Sequence, residues 1–174
     1  PKKSHGTTHV HHFYTKRNLI LLAAFFGKIK LSKWKSKLLF ILSSIHLHIN
    51  KMRRYQPVKP GGTPGLPGTL FVSSLNVELS IFDALPRKLR DIKKAALIDD
   101  EIHAAISCCG SATCMLIENN SIDYIFTDPP FGSNLMYSEL NFLWEAWLKV
   151  FTNNQPEAIV NKTQGKGLPE YQRL

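Results

Sequence analysis

The stretch Ile122-Asp123-Tyr124-Ile125-Phe126-Thr127-Asp128-Pro129-Pro130-Phe131 restricts what this chain can fold into more than any other. Its β-branched and aromatic residues predict a short buried strand over 122–127, bounded upstream by Asn119-Asn120. Pro129 and Pro130 lack a backbone N–H, so they cannot continue a central ladder and must end the strand. Pro129 also biases Asp128 towards an extended backbone. One carboxylate, stiff carbonyls and an aromatic ring are thereby expected at the carboxyl end of a strand, the edge where open α/β sheets bind ligands.

Asp128-Pro129-Pro130-Phe131 resembles the Asp-Pro-Pro-aromatic signature of the S-adenosylmethionine-dependent DNA methyltransferases that modify exocyclic amino groups. The likeness runs from Ser121 to Leu148, which is similar to the strand, motif and following helix of adenine-specific methylases. Tyr14-Thr15-Lys16-Arg17-Asn18-Leu19 also resembles a segment found upstream of the motif in that group. The resemblance implies an α/β fold, a partial Rossmann-like class I methyltransferase domain over 69–174. A basic helical segment with a Gly/Pro-rich loop precedes it over 1–68.

The family's chemistry carries over onto the matching positions. An exocyclic amine is a poor nucleophile because its lone pair is delocalised into the ring, so it must be aligned within near-attack distance of the methyl carbon. By resemblance, the Asp128 carboxylate and the Pro129 carbonyl accept the two amino hydrogens, Pro130 stiffens the turn, and Phe131 stacks on the flipped base. A base–aromatic stack is worth roughly 1–3 kcal/mol. The usual family residue is Tyr, but stacking needs only the ring face. Asn134 and Tyr137 are candidate contacts to base or backbone. Ser111, Ala112 and Thr113, in the loop after a strand expected at 105–109, would lie near the cofactor adenine, with Thr127 also on the cofactor side. That loop lacks the acidic residue many relatives carry. The Gly-rich cofactor motif is missing too: Gly61-Gly62 sits among prolines, and Cys109-Gly110-Ser111 has no second glycine.

Charge is divided unevenly along the chain. Residues 1–100 hold 18 Lys/Arg against 5 Asp/Glu, giving +13, and residues 101–174 hold 4 against 8, giving −4. The basic half suits a polyanion such as DNA, with a solvated basic surface as the alternative. A hydrophobic fraction of 44% over 174 residues is enough for a real core. Cys108, Cys109 and Cys114 show no Cys-x-x-Cys zinc spacing, and His5, His9, His11 and His12 are joined by no carboxylate or thiolate, so no metal site is expected. No secretory signal follows Lys2-Lys3, and the apolar run Leu19–Phe26 is too short to span a bilayer. A cytoplasmic protein with reduced thiols is expected.

Helical spacing predicts three helices in the first hundred residues. Thr15 caps one from Lys16 to about Ile29, apolar on every face and therefore buried. Lys16 and Arg17 sit in its first turn, where the dipole disfavours cations, so they suit an anion such as DNA phosphate or the cofactor carboxylate. The second covers Ser32 to Asn50, with Trp34, Leu38, Ile41, Leu42, Ile45 and Ile49 in one stripe. Pro57 to Gly68 reads as an irregular loop, beside Arg53 and Arg54 as candidate nucleic-acid contacts. Thr69 to Ser73 reads as a strand. A third helix, with Arg87, Lys88, Arg90, Lys93 and Lys94 outward, either starts near Leu85 or kinks at Pro86. After the motif, a helix is expected from Ser138 to Val150, a further strand at 158–160, and a mobile basic loop at Gly165-Lys166-Gly167.

Both ends, Pro1 and Leu174, read like cuts through a longer protein. The expectation is an internal piece of a DNA methyltransferase, inactive alone, whose partners are DNA and the enzyme's remaining segments and not a membrane. Two other readings stay open: a methyltransferase acting on RNA or a protein amide, and a non-enzymatic basic nucleic-acid-binding module.

Overall fold

The computed structural model describes residues 6–96, 110, 115–129 and 132–174. Helices dominate them. Thr15 starts α1 (Lys16–Lys30), its Oγ1 accepting from the Asn18 N–H at 3.3 Å. After a short turn, α2 (Lys35–Ile45) tightens into a 3-10 turn at His46–His48. Ser80 starts α3 (Ile81–Ala96), its Oγ accepting from Phe82 N. Pro86 is the sixth residue of α3, so the helix runs through it without one backbone hydrogen bond.

Leu22 and Ile29 of α1, Leu42 and Ile45 of α2, and Ile81 and Ala84 of α3 close on one core with Phe13, Tyr14, Ile49 and Met52. A fully buried Leu or Ile adds about 1.5–3 kcal/mol. The expectation that α1 is buried all round does not hold. Ile20, Ala23, Ala24 and Gly27 lie on its exposed side, because α2 and α3 cover only the opposite one. Trp34 is also exposed, with the ammonium groups of Lys33 and Lys37 over its ring.

The parallel sheet expected from the sequence is not seen. The strands among the described residues are β1 (Arg54–Gln56) and β2 (Lys59–Thr63), an antiparallel hairpin whose second strand falls inside the stretch Pro57 to Gly68 that the sequence suggested was an irregular loop. Gly62 makes that hairpin possible: its φ is +71°, and a Cβ there would come within 2.8 Å of the Arg54 carbonyl. The segments 69–73, 122–127 and 158–160 form no strand, and 105–109 lies outside the described residues. A helix satisfies its backbone from its own residues, whereas a parallel strand needs neighbours brought back by long crossovers. These short segments find none among the described residues.

Beyond the motif, the expected single helix is two, α4 (Tyr137–Leu140) and α5 (Phe142–Leu148), broken at Asn141 and stopped by Lys149 in the left-handed region. Ser138 does not cap it. The Glu157 carboxylate does so instead, accepting from Ser138 N at 3.3 Å and from Ser138 Oγ at 2.6 Å. Leu143 of α5 is fully buried in the core of α1–α3, with Trp144 and Trp147 packed against it. Near the C-terminus, Lys166 is buried, donating to the carbonyls of Asn154 (2.6 Å) and Glu157 (2.7 Å), so 165–167 is a pinned turn and no loose basic loop. The chain described ends in α6 (Leu168–Arg173). Among the described residues no helix is long and apolar enough to cross a membrane.

Candidate functional site

The motif lies on an exposed arm. Every residue from Met115 to Pro129 is exposed, including Tyr124 (79%) and Phe126 (82%). Asp128 is exposed, and among the described residues no hydrogen bond or ion pair reaches its carboxylate. Thr127 and Pro129 are exposed beside it. Pro130, Phe131, Ser111, Ala112 and Thr113 lie outside the described residues.

Past the motif the arm is fixed at three points. The Gly132 carbonyl accepts from Val160 N at 3.3 Å. Leu135 presses on Gly68, where a Cβ would meet Leu135 Cδ2 at 2.5 Å and where φ is +67°. Ser138 is held by Glu157. Asn134 is exposed between these fixed points, and Tyr137 opens α4 half exposed. Asp128 therefore stands four residues before an anchored turn.

Where the arm rejoins the body there is a cavity of ≈ 590 Å³. Phe13, Leu70, Phe71, Val72, Met136 and Leu140 make its walls, with Thr7, Thr69 and Glu139 as polar members. That volume is in the range of cavities that enclose small molecules. Thr127, the one described member of the expected cofactor set, lies on the exposed arm and is not part of its lining.

The segment Tyr14–Leu19 is a structural hub. Trp147 Nε1 donates to Tyr14 Oη at 3.0 Å, and Tyr14 Oη is hydrogen-bonded to His46 Nε2. Indole can only donate, and among the described residues His46 is the one acceptor within reach of the phenol proton, so Tyr14 Oη donates to His46 Nε2, which is then neutral with its hydrogen on Nδ1. Burial holds the Tyr14 phenol well above its usual range and pushes His46 down to about 4. Asn18, fully buried, donates through Nδ2 to the carbonyls of Ile49 (3.0 Å) and Leu79 (2.9 Å).

The cations expected to bind an anion have different positions. Arg17 pairs with Glu78 at 3.1 Å, and Thr15 Oγ1 donates to the same carboxylate, so the chain supplies its own anion at the start of α1. Lys16 is exposed. Arg53 donates to the carbonyls of Gly61 (2.9 Å from Nε) and Gly62 (3.2 Å from Nη2), pinning the hairpin. Arg54 lies in β1 with its Nε buried and unpartnered among the described residues.

Sequence reasoning missed a convergence of positive charge. Burial and then the charges of Arg53 and Lys88 lower the pKa of His48, while burial and then Arg87 lower that of Arg53. Arg87 and Lys88 of α3 thus stand beside Arg53 and His48, a cluster that no ion pair reaches among the described residues. The helical spacing of α3 gave its basic face but not what that face meets. Among the described residues no group of three or more His, Cys, Asp or Glu side chains is gathered for a metal.

No protein-family model, curated protein or solved structure matches this chain.

Proposed function

We propose that this chain is part of an S-adenosylmethionine-dependent DNA methyltransferase acting on the exocyclic amine of adenine or cytosine. One observation carries the reading: the Asp-Pro-Pro-Phe carboxylate, Asp128, is exposed and unpaired among the described residues, four positions before an anchored turn. An exposed carboxylate with no partner in its own fold is free to accept from a ligand's N–H groups. A second observation supports it. The two segments that resemble the family, 14–19 and 121–148, are bonded to each other through Trp147 and Tyr14, 133 residues apart.

When bound, the cofactor supplies a methyl carbon activated by a sulfonium. The chain's own part is to hold the amine. Asp128 and the Pro129 carbonyl accept its two hydrogens, which fixes the nitrogen's orientation and keeps its lone pair available. Phe131 steadies the ring, and the prolines limit how far these groups can drift. The exposed apolar side chains Met115, Leu116, Ile117, Ile122, Ile125 and Phe126 belong, in this reading, against the enzyme's remaining segments, which also contribute the Gly-rich cofactor loop.

The test is methyl transfer to DNA by the enzyme containing this chain. Asp128→Ala should abolish transfer while DNA affinity survives; near-normal turnover would remove Asp128 from the mechanism. The cluster of His48, Arg53, Arg87 and Lys88 favours a second reading, a basic nucleic-acid-binding module in which the motif is structural. Salt-dependent DNA binding with no cofactor-dependent methylation in the enzyme would select it.

A further inference from the structure

We infer that the outer face of α1 and the turn after it form a docking surface for an anionic phospholipid bilayer. Ile20, Leu31 and Trp34 enter the headgroup boundary, and five lysines around them meet the lipid phosphates.

No membrane partner is expected from the sequence, because a helix apolar on every face normally lies inside a core. α1 does not. α2 and α3 cover one side of it, and the other turns Ile20 (68% exposed), Ala23, Ala24, Gly27 and Leu31 (91%) to solvent. Ile20, Ala24, Gly27 and Leu31 recur at helical spacing, so they make one stripe roughly 16 Å long. Trp34, 53% exposed, follows at the start of α2. Charge decides what covers this surface. Lys28, Lys30, Lys33, Lys35 and Lys37 are all exposed, and among the described residues no ion pair reaches them. By the helical repeat, Lys28 and Lys30 fall on the two edges of the stripe. No carboxylate precedes Glu78, which is paired with Arg17. A second copy of the chain would bring the same cations and be repelled, whereas an anionic surface is attracted.

Two observations favour a bilayer over a nucleic-acid strand. A base stacks on an aromatic face, but the Trp34 ring already has the ammonium groups of Lys37 (4.9 Å) and Lys33 (5.4 Å) over it. A base must displace a cation to reach it. At a headgroup boundary the same arrangement stays as it is, with the indole at the interface and the ammonium groups beside the phosphates. Leu31 is the second. An aliphatic side chain this exposed gains nothing from phosphate, and gains by leaving water for acyl chains. The surface also lies apart from the groups of the methyl-transfer reading. α1 is about 22 Å long, and it is its opposite end that joins Tyr14 and Trp147. The inference does not rest on that reading.

The experiment is sedimentation of the full chain with vesicles of phosphatidylcholine, alone or with about one-third phosphatidylserine. The anionic vesicles should be bound more than about tenfold more tightly than the neutral ones, because each lysine at the surface is worth about fivefold. Leu31→Ser with Trp34→Ser removes exposed apolar surface and no charge, and should weaken that binding about tenfold. Lys33→Gln with Lys37→Gln should weaken it about 25-fold, while Arg87→Gln with Lys88→Gln, on α3, should leave it unchanged. An unaltered urea midpoint shows that each pair keeps the fold. Independently of these variants, brominated acyl chains should quench the tryptophan fluorescence of the unaltered chain and not that of Trp34→Phe. Three results would overturn the inference. One is no binding to anionic vesicles. Another is equal binding with Leu31 and Trp34 replaced, or a loss as large from the α3 pair, since either means adsorption by charge alone. The third is a single-stranded oligonucleotide bound through Trp34 more tightly than the vesicles, which assigns the surface to nucleic acid.

Discussion

Acid should unfold this protein through His46. The ring is 2% exposed and is required as an acceptor by the chain Trp147 Nε1–H to Tyr14 Oη–H to His46 Nε2. Protonating it would turn both nitrogens into donors, break the link to Tyr14 and leave a charge in the core. Its pKa falls from 6.5 to about 4 on folding, so between those values the unfolded chain binds the proton and the folded one does not. The contribution is fully present above about pH 6.5 and is lost as pH falls towards 4. At 1.36 kcal/mol per unit this comes to about 3 kcal/mol, a large part of a domain's stability. His46→Gln supplies an acceptor that does not titrate. Urea unfolding followed by tryptophan fluorescence, from pH 7.5 to 4, should give two stability curves that separate by about 3 kcal/mol, the unaltered protein losing more. Every other group is common to the two proteins and cancels. Parallel curves would refute the hydrogen-bond assignment.

Asn18→Ala should cost about 2–4 kcal/mol in urea unfolding, because the carbonyls of Ile49 and Leu79 both lose their buried donor. Arg17→Glu should leave DNA affinity unchanged and cost under about 1 kcal/mol, since Arg17 is spent on Glu78 at an exposed pair; a marked fall in DNA binding would return Arg17 to the nucleic-acid interface. Gly68→Ala should lower the unfolding midpoint by an amount worth about 1–3 kcal/mol, as its positive φ and the Leu135 methyl leave no place for a Cβ.

The helices were legible because their information is local. Thr15 as a cap, the spacing of Leu38, Ile41, Leu42 and Ile45, and the basic face of α3 are all read within a turn or two. What failed was non-local. Residues 69–73 and 122–127 have strand composition, but composition does not supply a neighbour, and the described chain gives them none. Tyr14, Asn18, Arg17 and Lys166 were misjudged or unassigned for the same reason. Their partners, Trp147, Leu79, Glu78 and Asn154, are 12 to 133 residues away, and no periodicity links such pairs. Of the candidate site, Asp128 was visible because its signal is the covalent chemistry of the prolines that follow it.

The placement of charge bears on how one chain could serve both phosphate and amine. No acid precedes Glu78, and Glu78 is paired with Arg17. Among the described residues no ion pair reaches His48, Arg53, Arg87 or Lys88, and Asp83 and Asp91 are the only acids of α3, so the cluster keeps a net positive charge that attracts a polyanion. A carboxylate meant for a base amine must avoid that competition, because a nearby cation would bind it first. Asp128 meets the condition: it lies in the half of the chain that carries −4, on an arm with no cation bonded to it among the described residues. If the methyl-transfer reading holds, introducing a lysine at Asn134 should cut turnover more than it raises DNA affinity. A gain in affinity with full turnover would mean that the Asp128 carboxylate does not need to be kept free.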